Sequence, residues 1–305
     1  MSYKLGQLPS AKATLSEIAD FMEYQCLISD ENVYSSVSGE SAMGISCDDP
    51  NSMSDENSDF VDALAEIEDR NSFSCGKYPF ETTTNSLTIS AGIENGVLEV
   101  YKFLLLATRE NMSENKIAAQ IDGTALFERL CTLVLKNYFG EKCSSFVFGT
   151  GQQEVPSFSV RVQEMLDKLD EGNLKFRHPD CDSGQQKDGK LDVVVFIPFA
   201  DNKKGQFIAF GQCKTGTNWR PAISQLNPKV FCQTYCVPPP GFIPIAVFMV
   251  TESFTQNWEM VQRSSNGILF DRTRIMNYLP GDIDTGLLEE IRQWNAAVIE
   301  RYHRA

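Results

Sequence analysis

The stretch KDGKLDVVVFIPFADNKKGQFIAFGQCKTGTNW, residues 187–219, decides the fold. Its two apolar runs, Val193–Phe199 and Phe207–Gly211, are too short for helices and rich in Val, Phe and Ile, so they read as buried strands. The polar link 200–205 closes a hairpin between them, which makes the pair antiparallel. The start of the first strand then lies beside the end of the second. Asp192 opens the first; Gln212 and Lys214 close the second. Side chains two apart share a face, so Gln212 and Lys214 point together and Cys213 points away. A carboxylate, an amide and an ammonium are therefore expected at one edge of an apolar sheet. Burying such groups alone costs roughly a few kcal/mol each. They need one another, a metal ion or a substrate.

The flanks supply the rest of the sheet and its cover. Upstream, residues 123–139 begin after a capping Asp122, end at Gly140 and are apolar nearly all round, as in a buried helix. Glu128 is the acidic residue on that helix, and Thr124, Ala125, Cys131 and Thr132 leave room around it. A strand is expected over Ser145–Phe148 and a helix over Phe158–Leu169. Downstream, Ala222–Cys236 is partly helical, Ile243–Val250 and Gly267–Phe270 are strands, and Leu287–Tyr302 is a helix. The expected class is α/β, a mixed central sheet flanked by helices, over residues 111–305. Residues 1–110 form an acidic, mainly helical region with helices at Leu15–Leu27, Phe60–Asp69 and Gly96–Thr108, and a small strand near Leu87–Ile89. Its segment Ser29–Ser58, rich in Ser, Asp, Glu and Asn, reads as irregular.

Charge places any contact with nucleic acid. The chain's net charge of −14 argues against it, but the excess is local. Residues 1–100 carry 18 acidic against 4 basic side chains, whereas residues 101–305 carry 23 of each. Lys175–Lys229 is basic, nine against five. The 305 residues contain no apolar run long enough to span a bilayer and no apolar signal stretch near the start, so a cytoplasmic protein without membrane partners is expected. Nine unpaired-looking cysteines fit reduced thiols. Two histidines limit zinc and His-based nucleophile chemistry, and no phosphate-binding Gly-rich loop is present.

The order of helix with Glu, strand, strand with Asp, hairpin, and strand with Gln-x-Lys resembles the PD-(D/E)xK nuclease superfamily. Within it, the chain is similar to the Mrr-like restriction endonuclease branch, which uses Gln-x-Lys. The residues carrying the resemblance are Phe127-Glu128, Asp188-Gly-Lys-Leu-Asp192 and Phe210-Gly-Gln-Cys-Lys214, within Ile121–Arg274. The resemblance implies a restriction-endonuclease-like core and an Mg²⁺- or Mn²⁺-dependent endonuclease cutting DNA. It implies Glu128, Asp192, Gln212 and Lys214 as catalytic residues. Asp192, the Gln212 amide, the Cys213 carbonyl and Glu128 would be the metal ligands. The whole arrangement also resembles proteins of bacterial phage-defence loci, which implies an anti-phage effector; an ATPase or sensor partner and a homo-oligomer are further expectations. The competing expectation, from Gln in place of Glu, is a weak or inactive nuclease-like binding subunit.

Hard oxygen ligands suit Mg²⁺ or Mn²⁺, and phosphodiester hydrolysis needs charge stabilised at the phosphate. Lys187, Lys190, Lys203, Lys204 and Arg220 are expected as a phosphate-facing rim. Trp219 is open to two readings, a base-stacking platform or a packed core ring. The literal Pro179-Asp180 is set aside for Asp192, because it sits in a polar loop ahead of any strand. A zinc site from His178, Cys181, Cys232 and Cys236 is a weaker candidate.

Overall fold

The hairpin forms as its two short apolar runs predict, with β8 at Val193–Ile197 and β9 at Phe207–Lys214. Val193 faces Gly211 and Ile197 faces Phe207 in antiparallel register. The computed structural model describes residues 12–35, 53–149, 156–177 and 189–304, together with 5, 7, 9 and 10, and side chains of 53–59 excepted. β6 (Ser144–Val147) pairs antiparallel with the outer side of β8. β11 (Ile245–Val250) and β12 (Gly267–Phe270) add in parallel beyond β9, giving the order β12-β11-β9-β8-β6. The class is thus α/β with a mixed five-stranded sheet. The carboxyl ends of β9, β11 and β12 and the start of β8 lie at one end of it, where open α/β sheets bind ligands.

Helices cover both faces. One face packs on the helix Gly123–Phe139, called α4 in chain order after α1 (Leu15–Ile28), α2 (Met53–Phe73) and α3 (Asn95–Arg109). Asp122 caps α4 as expected, accepting from the Thr124 and Ala125 N–H groups. Gly123 is required there, because a Cβ would lie 2.7 Å from the Trp294 ring. The opposite face carries Val194, Ile208 and Phe210 against α5 (Phe158–Leu169) and α6 (Pro228–Tyr235). A last helix, α9 (Thr285–Arg304), lies along α3.

Residues 1–110 do not stand apart. Phe21, Leu64 and Phe103 belong to the same apolar cluster as Leu130, Val195, Met249 and Val298. This region also holds a small antiparallel sheet, with β3 (Ser86–Ile89) between β1 (Val33–Ser35) and β2 (Phe80–Thr82). β1 falls within the segment expected to be irregular, and α2 starts before its end; residues 36–52 lie outside the described ones. The expected helix Phe60–Asp69 is the middle of α2.

A buried ionic cluster ties this region to the sheet. Asp20 and Glu23 on α1 meet Arg70 of α2 at 2.8 and 2.7 Å. Arg109 of α3 reaches Asp20 at 2.6 Å, and Arg272 reaches Asp20 at 2.9 Å. Arg272 opens α8 (Arg272–Asn277) directly after β12, and its Nε donates to the Thr251 carbonyl. Tyr78 and Tyr101 hydroxyls complete the shell of Glu23. Every charge there has several partners, as a buried charge requires.

Asp271, which caps α8, is fully buried, and burial pushes its carboxyl up to about 6 despite the Arg274 N–H and the Arg274 and Arg272 charges. Between about pH 4 and pH 6 the unfolded chain ionises Asp271 and the folded chain does not, so this group's share of stability falls as pH rises. Asp271→Asn keeps a capping oxygen and removes that titration. Urea unfolding of this variant is expected to show a flatter pH dependence across that window; an unchanged slope would contradict the assignment.

Candidate functional site

Asp192 sits where β8 begins and β9 ends. The chain enters through Gly189 and Lys190, both left-handed at φ +57° and +63°, and Leu191 is buried. The Asp192 N–H donates to the Gly211 carbonyl, and its own carbonyl accepts from the Phe148 and Gly149 N–H groups. Its Oδ2 accepts the Cys213 N–H at 2.8 Å. In an extended strand a residue's N–H and C=O point to the same side, so the Cys213 carbonyl faces the same gap as the Asp192 carboxylate.

Gln212 is 0 % exposed, and neither its Oε1 nor its Nε2 has a hydrogen-bond partner among the described residues. Buried side-chain amides are nearly always bonded, so this amide is an orphan that calls for a ligand. Lys214, half-buried, makes no ion pair among the described residues. The alternation puts Gln212 and Lys214 on the face of Ile208 and Phe210, while Cys213 packs with Ala209 and Cys131 on the α4 face.

Glu128 therefore approaches from the face opposite Gln212 and Lys214. Its carboxylate lies against Gly149, where a Cβ would overlap Oε2. Gly149 in turn donates to the Asp192 carbonyl, so Glu128 and Asp192 both adjoin Gly149 at the sheet end. Burial, the neighbouring Cys131 thiol and the Asp192 and Glu128 carboxylates push the Cys213 thiol well above its usual range. The Cys213 side chain lies on the α4 face, so its carbonyl is the atom that faces the Asp192 carboxylate, an oxygen set that suits a hard cation. Among the described residues no group of three or more His, Cys, Asp and Glu is placed to hold a metal. The fit rests instead on oxygen donors: the Asp192 carboxylate, the Cys213 carbonyl and the orphaned Gln212 amide. Gly149→Ala is expected to displace Glu128, costing about 1–3 kcal/mol of stability from overpacking and lowering any metal-dependent activity. Parent-like unfolding and activity would contradict that placement.

The expected phosphate rim does not assemble. Lys203, 82 % exposed, pairs with Asp201, and Lys204 pairs with Asp170, both at the closed end of the hairpin. An eight-residue strand separates them from Lys214 by roughly 23 Å, since β-strands rise about 3.3 Å per residue. Lys190 is exposed near Asp192, and Lys187 and Asp188 lie outside the described residues, as do His178 and Cys181 of the zinc reading. Trp219 is no stacking platform: it is 1 % exposed, packs on Phe248 and Phe254, and donates its Nε1–H to Glu252 at 2.5 Å. Arg220 lies over Trp219, its guanidinium carbon 4.6 Å from the ring centroid, and remains exposed.

Sequence reasoning missed Glu252. It follows the strand Ile245–Val250 at the carboxyl end of the sheet, and that position was its available signal. Burial raises its carboxyl above the ordinary range although Arg220, Trp219 and Arg109 favour the ion. Among the described residues no helix is long and apolar enough to cross a membrane. A scan of family models found no match, nor did comparison with curated proteins or with solved structures.

Proposed function

We propose that the chain is a metal-dependent endonuclease hydrolysing DNA phosphodiester bonds. The observation that carries this reading is the sealed, partnerless Gln212 amide one residue before the Cys213 N–H that holds Asp192, with Lys214 two residues further along the same strand. The Asp192 carboxylate, the Gln212 amide oxygen and the Cys213 carbonyl would hold Mg²⁺ or Mn²⁺, with Glu128 behind Asp192. When bound, that ion supplies Lewis-acid stabilisation of charge at the phosphate. Lys214 orients the attacking water by hydrogen-bond donation and offsets charge building on the phosphoryl oxygens. The Cys213 N–H fixes the Asp192 carboxylate, so the acid is positioned before substrate arrives. An anti-phage role, an ATPase or sensor partner and a homo-oligomer belong to the same proposal and rest on the resemblance; a cytoplasmic location is proposed with them.

The test is incubation of supercoiled, linear and single-stranded DNA with the protein and each divalent metal. Nicking or cutting that EDTA abolishes is expected. A second reading, a nuclease-like binding subunit without turnover, is favoured by the neutral Gln212 and by the lack of a three-member acidic metal cluster among the described residues. DNA binding in EDTA with no cleavage under any metal would select it.

A further inference from the structure

At the same end of the sheet a cleft of about 430 Å³ opens between the start of α1, the loop after β9 and the segment after β11. That size suits a small ligand such as a nucleobase with its sugar. Glu252 lines it, only 7 % exposed. Its Oε2 holds the Trp219 indole N–H at 2.5 Å and Arg220 at 3.4 Å, whereas its Oε1 has no partner among the described residues. Arg220 stands at the mouth, 54 % exposed, its guanidinium carbon 4.6 Å from the Trp219 ring centroid and 6.0 Å from that of Phe254. Arg109 and Thr217 also line the cleft.

We infer that this cleft binds a guanine base. A largely buried carboxylate with an open oxygen accepts from neighbouring N–H donors, and guanine is the natural base that presents two side by side, N1–H and N2–H₂. Beside them its O6 accepts, which suits a guanidinium donor such as Arg220. Uracil and thymine lack the amino group, and adenine and cytosine place a ring-nitrogen acceptor where guanine has its N1–H. The inference does not depend on hydrolysis, since binding needs neither the metal nor Lys214.

The guanine could belong to a free nucleotide or to a nucleic-acid strand, and calorimetric titrations in EDTA separate the two. The probes are guanosine, adenosine, cytidine and uridine 5′-monophosphates, and short single-stranded oligonucleotides with or without guanine. Guanosine monophosphate is expected to bind about tenfold more tightly than the other three, or the guanine-containing strand about tenfold more tightly than its guanine-free counterpart. The first result assigns a free nucleotide and the second a nucleic-acid base. Glu252→Gln and the surface change Arg220→Ala should each weaken the selective binding about tenfold with the circular dichroism spectrum unchanged. Equal binding of all bases, no binding of any probe at millimolar concentration, or selective binding that survives both substitutions would overturn it. A chain that binds guanine and never cuts DNA would sustain this inference while ending the nuclease reading.

Discussion

Lys214→Met is expected to lower metal-dependent DNA cleavage by about two to three orders of magnitude, with the unfolding curve close to that of the parent. Removing one preorganised donor from the site of developing charge typically has that effect. The side chain is half-buried at the end of β9 and makes no ion pair among the described residues, so its loss leaves no buried carboxylate unmatched. Methionine keeps the length and packs against the same apolar neighbours. Cleavage at the parent rate would remove Lys214 from the chemistry. The comparison is a time course on plasmid DNA at fixed Mg²⁺ and Mn²⁺ concentrations.

Arg272→Met should cost about 3–5 kcal/mol, because it strips a cation from carboxylates that have no access to water. Arg272 is 0 % exposed and contacts Asp20, Glu23, Thr108 and the Thr251 carbonyl. Although burial opposes ionisation of Asp20, the Arg272, Arg109 and Arg70 charges hold its carboxyl well below the usual range. The stability Asp20 contributes is complete above the unfolded value near pH 4 and is lost as pH falls below it. The variant is expected to unfold at lower urea and to lose much of the parent's acid-limb pH dependence. A variant as stable as the parent would show that the cluster is dispensable. Arg272 follows β12 and its Nε holds the Thr251 carbonyl, beside Glu252, so the cluster also supports the end of the sheet that carries the site.

Local pattern made much of this architecture legible. Short runs of Val, Phe and Ile joined by a polar link marked the hairpin, and Asp122 with Gly140 bounded α4 to the residue. The separation of Gln212 and Lys214 from Cys213 needs only the period of a strand. The ionic cluster left no such trace, because Asp20, Arg70, Arg109 and Arg272 meet through tertiary packing and are spread over the chain. For the same reason the acidic first third read as a helical region apart from the sheet domain, although its helices share the core. Lys203 and Lys204 were grouped with Arg220 by charge alone, yet a hairpin turn lies at the opposite end from its strand termini. Glu128 was legible as a lone acid on a buried helix, but not the face from which it approaches.

The central claim is that Asp192, the Gln212 amide and the Cys213 carbonyl together make a divalent-cation site. Electron paramagnetic resonance titration of Mn²⁺ into the parent and into Asp192→Asn tests it directly, before any question of substrate. One ion bound by the folded parent, displaced by Mg²⁺ and lost in the folded variant, is the predicted result. Equal Mn²⁺ binding by both proteins, or none by the parent at millimolar metal, would contradict it.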